Sequence, residues 1–287
     1  MIKQILSWAD EYDSDMETEW ITYNNNKVDN NIKKINYSEK EFYKFSDIIC
    51  EKKCSINYKL FNTVENSRYS CLMPWYVSQV NSFFNEIYKK DYKNKINKII
   101  DIGANIGVDS VNFLLNFPDS KLISFEIESK TYKALCKNLL EFNNITKLNS
   151  IEQLTDSNNK VQAYNKDFLE YIHYVKNADI VFIDAPWGGS IYKNKKNVSI
   201  YLQAENDYYN INNYDSSKNI IIVTKKILDL KYNVKSVLLK VPYNYEFDNF
   251  ETEIYNFNNN IEIKYKNIYK GDTNYIGFVL ISVYLKS

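Results

Sequence analysis

The sequence lacks the side chains from which metal sites are usually built. It has one histidine and four cysteines in 287 residues. Cys50 and Cys54 make one CxxxC pair, but no second pair follows, and a structural zinc site needs four ligands. Four cysteines in a chain of this length do not form a disulfide framework either. We therefore predict buried thiols and no metal centre.

The chain has almost no arginine and no net charge. Arg68 is the sole arginine, and the 36 basic side chains are balanced by 36 acidic ones. A formal net charge of zero gives no basic footprint for long nucleic acid. Any contact to phosphate has to use lysine, which acts as a point charge and not as a bidentate fork.

Long apolar runs are absent as well. No stretch of about 18 apolar residues occurs, and the start of the chain lacks the basic-then-apolar form of a signal peptide. With 45% apolar and 25% charged residues, the chain is predicted to form one large globular domain with an extension. We expect it inside the cell, in the cytoplasm or nucleus. Abundant Asn, Lys, Ile and Tyr suggest an AT-rich genome, and if that genome is a giant virus, we expect the protein in a virus factory.

The chain is predicted to have three parts. Residues 1–60 are polar and are interpreted as an N-terminal extension. Residues 61–96 form a helical lead-in, because apolar side chains from Val77 to Ile87 recur near a 3.6-residue period. Residues 97–287 alternate between strands and helices, which predicts a mostly parallel sheet with helices on both faces.

The end of the chain departs from this alternation. Its last two predicted strands, 261–269 and 275–285, are joined by a short link, so they must be antiparallel neighbours. Within the alternating part, Pro118 is expected to end the first helix and Ser129 to cap the second. A seven-stranded α/β sheet of this kind, mostly parallel with a C-terminal antiparallel hairpin, resembles the Rossmann-like layout of class I methyltransferases.

A glycine-containing turn follows the first strand of the alternating part. Asp101 and Gly103 end this strand, and Gly107 opens the next helix, in the sequence DIGANIG. Glycines let the backbone come close to a ligand, and a helix N-terminus favours polar or anionic groups. Asn105 takes the position of a middle glycine, and asparagine tolerates a positive φ better than most residues.

Two further acidic residues follow the next two strands. Glu126 lies where a carboxylate can accept hydrogen bonds from ribose hydroxyls, and Asp167 lies where one can accept from an adenine amino group. The carboxyl ends of parallel strands share one edge, where open α/β sheets bind ligands. Together with Asp101, these acids suit a ligand with a cationic amino-acid end, a ribose and an adenine. S-adenosylmethionine has all three, so we predict it as the cofactor.

The fourth strand of the alternating part ends in DAPWGG, residues 184–189. With DIGANIG, SFEIES and NKDFLEY, in matching order and spacing, this segment resembles the motifs of the RNA cap guanine-N2 methyltransferases, the trimethylguanosine synthase family. The segments LLKVPYN and IYKGDTNYIGFVLIS resemble the last strands of that family. The likeness covers about residues 97–285, and the PWGG element is its most diagnostic part.

The resemblance implies roles for three residues of DAPWGG. Trp187 would be the platform on which the 7-methylguanine of the cap stacks, with Asp184 and Pro186 as the other members of the catalytic element. Guanine methylated at N7 is cationic, and a cation over an indole face gains about 2 kcal/mol when it is desolvated. Asp184 Oδ and a neighbouring backbone carbonyl can accept the hydrogens of the N2 amine. The sequence leaves open whether Asp184 is a base or only an acceptor.

The chain departs from this family at two positions. Ala185 replaces the first of two prolines that often precede the tryptophan. Tyr243 replaces the arginine of a Pro-Arg-Asn loop that reaches the cap phosphates. Besides Asp184 and Trp187, the expected substrate contacts are therefore Lys193, Lys195, Lys240, Tyr243 and Asn244.

The function predicted from the sequence is methyl transfer from S-adenosylmethionine to the exocyclic N2 of 7-methylguanosine in an RNA 5′ cap. We expect a monomer whose partner is capped RNA and not a membrane. One alternative is an N6-adenine or other amino-group methyltransferase of nucleic acid, because those enzymes use an acid–Pro–Pro–aromatic element. Another is an inactive methyltransferase fold that binds caps or serves as a scaffold. The sequence does not decide between one and two added methyl groups.

Overall fold

A computed structural model describes residues 43–44, 56–64, 67–91, 95–203, 215–271 and 273–286. These residues fall within one unit, Phe42–Ser287. Most of the predicted N-terminal extension, together with Cys50 and Cys54, lies outside the described residues.

Seven of the nine described strands form one mixed sheet. The strands are β1 (Tyr43–Lys44), β2 (Asn62–Thr63), β3 (Lys98–Ile102), β4 (Lys121–Phe125), β5 (Val161–Tyr164), β6 (Ile180–Ile183), β7 (Ser236–Val241), β8 (Ile261–Tyr269) and β9 (Ile276–Leu285). The large sheet has the order β5-β4-β3-β6-β7-β9-β8. Strands β3 to β7 are parallel, and β9 runs antiparallel to both β7 and β8. The predicted fold class is confirmed.

Helices lie between most of the consecutive strands of the large sheet, as the predicted alternation requires. They are α1 (Ser67–Ser70), α2 (Pro74–Phe84), α3 (Val108–Asn116), α4 (Ser129–Glu141), α5 (Asn143–Thr146), α6 (Glu152–Thr155), α7 (Ile220–Ile227) and α8 (Phe247–Phe257). One predicted cap is wrong: Glu128 holds the N-cap position of α4, Ser129 is the first helical residue, and no side chain caps this end. The segment Phe168–Val175 is a 3-10 helix with non-helical dihedral angles at Tyr171.

The connection between β5 and β6 creates a switch point in the sheet. The chain places β4 and β5 on one side of β3 and then returns to place β6 on the other side. Asp101 pairs with Phe182 and Ile102 with Ile183 across the β3–β6 ladder. The carboxyl ends of these two strands are therefore neighbours, and open α/β sheets bind ligands at such a point.

Apolar side chains cover both faces of the sheet, as expected for parallel strands between helices. Phe182 and Leu238 belong to the buried cluster on one face, and Val181 and Leu239 to the cluster on the other. The helical lead-in packs on the first face. In it, the ring of Phe84 stacks on Phe113 with 5.1 Å between centroids. The lead-in and the sheet thus share one core.

Three findings bear on the predicted absences. Cys71 and Cys136 are buried thiols, as the sequence predicts. Within the described ranges, no helix combines the length and apolarity needed to cross a bilayer. In the same ranges, no group of three or more His, Cys, Asp or Glu side chains is arranged so that it could hold a metal ion.

Candidate active site

We call the loop between β3 and α3, residues 103–107, the glycine turn. Gly103, Asn105 and Gly107 all have positive φ, of 73°, 50° and 89°. A Cβ on Gly103 would lie 2.4 Å from the carbonyl oxygen of Asp184, and one on Gly107 would lie 2.6 Å from Leu135 Cδ1. Contact with the Asp184 backbone therefore requires glycine at 103, and the positive φ favours glycine at both 103 and 107, independently of the ligand approach that the sequence suggested.

Glu126 lies just after β4, beside the glycine turn, and is 7% exposed. The backbone N–H of Asn105 donates to its Oε2 at 2.9 Å, and the N–H of Glu128 donates to its Oε1 at 2.8 Å. Burial raises the pKa of Glu126 to about 7, although these N–H groups favour the ionised form. Each carboxylate oxygen has two lone pairs, so both retain capacity for a hydroxyl ligand.

Asp101 lies within β3 and is fully buried. Its Oδ2 accepts a 2.5 Å hydrogen bond from Ser110 Oγ, which is also 2.9 Å from Ser124 Oγ. Burial raises the pKa of Asp101 to about 8. Its Oδ1 is buried and has no hydrogen-bond partner among the described residues. Such an unmet acceptor is rare and needs an explanation.

Asp167 lies after β5 and caps a helix. Its Oδ1 accepts a hydrogen bond from the backbone N–H of Leu169 at 2.9 Å, as an N-cap residue does. Its Oδ2 is 3.4 Å from Lys218 Nζ. The structure thus gives Asp167 a local structural role, and its contact with an adenine amino group stays a prediction.

A buried group of charges lies at the ends of β6 and β7. We call Asp109, Asp184 and Lys240 the Asp184 cluster. Lys240 Nζ is 2.7 Å from Asp184 Oδ2, 3.8 Å from Asp109 Oδ2 and 3.3 Å from the carbonyl oxygen of Ser70. Lys240 is 5% exposed. This placement differs from the phosphate contact expected from the sequence, because the ammonium is enclosed by protein acceptors.

Each member of the Asp184 cluster has a perturbed pKa. Burial raises the pKa of Asp184 to about 6, while Lys240 lowers it and Asp109 raises it. Burial also raises the pKa of Asp109. Burial opposes the charge on Lys240, but the two carboxylates outweigh this effect and raise its pKa. The nearby thiol of Cys71 stays neutral, since burial raises its pKa to about 12.

Trp187 is held in place while part of its surface stays accessible. The loop that carries it turns through Gly188 and Gly189, whose φ values are 86° and 64°. The indole packs against the apolar clusters on both faces of the sheet, and the ring of Tyr192 lies 5.3 Å away and nearly perpendicular to it. Its Nε1 is buried without a hydrogen-bond partner among the described residues. Both Trp187 and Pro186 are half-buried.

The loop after β7 is tied to the loop that carries Trp187. Asn244 Nδ2 donates to the carbonyl oxygens of Tyr192 and Lys195, both at 2.8 Å. Tyr243 is exposed, and its hydroxyl donates to the carbonyl oxygen of Lys193 at 3.5 Å. Asn244 therefore positions the neighbouring loop. Contacts of Lys193, Lys195, Tyr243 and Asn244 with a substrate stay predictions.

Sequence reasoning did not find two members of this site, Asp109 and Cys71. An acidic residue in the first turn of a helix is common, because it complements the helix dipole. Cys71 lies in the lead-in and not at a strand end, where the acidic residues predicted from the sequence lie. The ion pair of Asp109 with Lys240 and the hydrogen bond from Lys240 Nζ to the Ser70 carbonyl oxygen bring α3 and the end of α1 to this site.

The order of the sheet and the glycine turn at its switch point define a class I methyltransferase (Rossmann-like) fold. Solved structures of this fold resemble the chain at low identity. The plantazolicin methyltransferase BpumL, in complex with a pentazolic desmethylPZN analog and SAH, is 12% identical with a TM-score of 0.49, over 75% of this chain and 86% of that one. The human methyltransferase 10 domain containing protein is 12% identical with a TM-score of 0.45, over 75% and 83%. This likeness concerns the fold alone.

Among curated proteins, an uncharacterized protein of Acanthamoeba polyphaga mimivirus is 31% identical over 162 residues. The alignment covers 56% of this chain and 52% of the relative. The chain thus spans about half the length of the curated relative that it matches. No family model matches the chain.

Proposed function

We propose that this chain transfers a methyl group from S-adenosylmethionine to an exocyclic amine, the N2 of 7-methylguanosine in an RNA 5′ cap. The observation that carries the proposal is the position of Asp184 and Trp187 on one loop. This loop leaves β6 at the switch point, and the carbonyl oxygen of Asp184 lies directly against Gly103 of the glycine turn. A hydrogen-bond acceptor and an aromatic ring therefore lie beside the expected cofactor site.

The glycine turn and its neighbours suit the cofactor. The carboxylate of Glu126, oriented by two backbone N–H groups, would accept hydrogen bonds from the ribose hydroxyls. The buried Oδ1 of Asp101, without a partner among the described residues, would accept one from the ammonium of the amino-acid end. S-adenosylmethionine would supply a methyl group on a sulfonium sulfur, which becomes a neutral thioether as the methyl carbon bonds to nitrogen.

The Trp187 loop suits a purine acceptor. A half-buried indole offers a stacking surface worth about 1–3 kcal/mol for a base. A 7-methylguanine is cationic and adds the attraction between a cation and the indole face. Asp184 would accept a hydrogen bond from the N2 amine, which orients the lone pair and stabilises the positive charge that develops on nitrogen.

Mass spectrometry tests this proposal. The full chain is incubated with S-adenosylmethionine in three parallel reactions, which contain m7GTP, GTP or ATP as the methyl acceptor. We expect one or two added methyl groups on m7GTP, less product from GTP and none from ATP. Methylation of ATP or of an adenine-containing oligonucleotide alone would favour the adenine alternative. Binding of m7GTP without transfer, in a protein that calorimetry shows to bind S-adenosylmethionine, would favour the scaffold alternative.

A further inference from the structure

Lys240 is an unusual residue for its position. It belongs to β7, all of whose residues are buried, and lysine is almost never fully buried unless it is paired. An ammonium has three N–H donors. Three acceptors lie around Lys240 Nζ, namely Asp184 Oδ2 at 2.7 Å, the Ser70 carbonyl oxygen at 3.3 Å and Asp109 Oδ2 at 3.8 Å. Two of its donors are therefore used in hydrogen bonds to Asp184 and Ser70, and Asp109 at 3.8 Å adds a second negative charge without a hydrogen bond.

The contact with Lys240 divides the carboxylate of Asp184 into two unequal oxygens. Oδ2 receives the ammonium, while no hydrogen bond from a described residue reaches Oδ1. The carboxylate cannot rotate without breaking the 2.7 Å contact, and its side chain keeps 12% exposure. One oxygen is thus fixed by the protein, and the other has capacity for a ligand.

We propose that Lys240 is a positioning residue for methyl transfer: it holds Asp184 ionised through Oδ2 and aims Oδ1 at the amino group of the substrate. This inference rests on the proposed function, since it names the device that prepares Asp184 for an amine. It also assigns Asp184 the role of acceptor first and base afterwards.

The proton balance follows from this arrangement. The free amine donates one N–H to Oδ1 while its lone pair forms the new bond to carbon. The methylated nitrogen then carries a positive charge and is a strong acid. Its proton passes to Asp184 Oδ1, the electron pair of the N–H bond stays on nitrogen, and Asp184 releases the proton to solvent. A weakly basic carboxylate is sufficient for this late step.

Stability alone does not account for the buried ion pair. Replacement of such pairs by apolar residues is often neutral or stabilising, because taking two charges out of water costs about as much as their attraction returns. Five titratable groups face Asp184 or its partner: Lys240 from β7, Asp109 from α3, Asp101 from β3, and both Cys71 and Tyr76 from the lead-in. Lys240 is the one described cation among them, so it has to set the charge of Asp184.

Carboxyl NMR of the full chain, labelled with ¹³C-aspartate and free of ligands, tests the inference. The Asp184 signal is assigned by its loss in Asp184→Asn. Lys240→Met should move its titration midpoint up by about one to three pH units, since an opposite charge at this distance lowers a carboxyl pKa by that amount. Asp109→Asn should move the midpoint down, because Asp109 repels the charge on Asp184. Fold-wide disruption would not produce opposite shifts.

Lys235 provides a matched control. It lies one residue before β7 and pairs with the buried Asp179 at the opposite edge of the sheet. Lys235→Met removes a paired lysine as well, yet it should leave the Asp184 midpoint unchanged. If Lys240→Met does not fold, ¹³C-lysine labelling of the unaltered chain replaces it. The Cε signal of Lys240 should then titrate with the Asp184 midpoint, and its independence from that midpoint would overturn the inference.

A kinetic measurement completes the test. In the active protein, the fall of kcat at low pH should have the same midpoint as the titration of Asp184. In Lys240→Met this midpoint should move to higher pH, while KM for m7GTP stays within about threefold. An unchanged limb and an unchanged carboxyl midpoint would overturn the inference. If the unaltered chain methylates no cap but the carboxyl shifts appear as expected, the proposed function fails and the ionic control of Asp184 by Lys240 stands.

Discussion

The glycine turn and the Asp184 cluster lie at the same edge of one sheet, but they orient their carboxylates in different ways. Glu126 is held by two uncharged backbone N–H groups, that of Asn105 in the glycine turn and that of Glu128 two residues further on. Asp184 is held by the ammonium of Lys240, which is 56 residues away in the sequence. Burial raises both pKa values, from 4.5 to about 7 for Glu126 and from 3.8 to about 6 for Asp184, but only at Asp184 does a neighbouring positive charge, that of Lys240, oppose the rise.

Backbone N–H groups and a lysine ammonium have different effects on the carboxylates that they orient. Backbone N–H groups fix the direction of a carboxylate, which is sufficient to receive ribose hydroxyls. A full positive charge also fixes its ionisation, which is required for a carboxylate that must receive a developing cation. The two regions should therefore respond separately to substitution, except where they touch.

Removal of the Trp187 ring should have the largest effect, and only on the acceptor side. Trp187→Ala loses about 2 kcal/mol from the cation contact and about 1–3 kcal/mol from stacking, so kcat/KM for m7GTP should fall roughly 10²- to 10³-fold or more. The affinity for S-adenosylmethionine, measured by calorimetry, should stay within a few fold. Trp187→Phe keeps a stacking face and should retain part of the activity. Equal loss of cofactor binding would show that the ring is structural.

Gly103 is the point at which the two regions touch. Gly103→Ala places a Cβ 2.4 Å from the carbonyl oxygen of Asp184 at a φ of 73°, so overpacking adds to backbone strain and should cost about 2–5 kcal/mol in the free energy of unfolding. Gly271 is the matched control, because it has a φ of 55° with no atom within 4 Å of an added Cβ. Gly271→Ala should cost only about 1–2 kcal/mol. Similar urea midpoints for the two variants would mean that the close approach carries no energy.

Much of the fold depends on local patterns and could be predicted. Strand–helix alternation indicated the seven strands, and the short link before β9 indicated the antiparallel hairpin. The positions of Gly103 and Glu126 at successive strand ends predicted that they would be close together, and the backbone N–H of Asn105 does join Glu126 to the glycine turn. These residues could be predicted because a residue that directly follows a parallel strand lies at the carboxyl edge of the sheet, where ligands bind.

The Asp184 cluster could not be predicted in the same way. A single lysine in SVLLKV resembles a surface charge, whereas its ammonium is enclosed by acceptors that include Ser70 at the end of α1 and Asp109 in α3, both distant in the sequence. Asn244 is similar: its sequence position suggested a substrate contact, whereas its amide joins two loops through carbonyl groups. Which side chain meets which is a property of tertiary packing and leaves no periodic signal in the sequence.

Loss of the Glu126 carboxylate should affect the cofactor side alone. Hydrogen bonds to a charged group contribute about 1.5–3 kcal/mol each, so Glu126→Ala should weaken S-adenosylmethionine binding roughly 10- to 100-fold. Quenching of Trp187 fluorescence by m7GTP should change little. Glu128→Ala is the control, because Glu128 is exposed and contributes its backbone N–H, which the substitution keeps. A larger loss of cap binding than of cofactor binding would contradict the division into two regions.

The smallest expected effect is the pH dependence of cofactor binding, which depends on Glu126 and not on the Asp184 cluster. It can be tested with a substitution that keeps the size of the side chain. The pKa of Glu126 is raised by burial to about 7, and the ionised form is the better acceptor of ribose hydroxyls. The ionised fraction of Glu126 rises about tenfold between pH 6 and 8, so the affinity for S-adenosylmethionine should rise by up to about tenfold. Glu126→Gln should remove the component with its midpoint near 7. The stability of the fold depends on pH in the opposite direction. The pKa of Glu126 is about 7 in the folded state and 4.5 in the unfolded state, so the folded state binds the proton more tightly. The contribution of Glu126 to the free energy of unfolding therefore falls as pH rises from about 4.5 to 7. Calorimetry at each pH measures the affinity directly, whereas a shift in melting temperature would mix the two opposing effects.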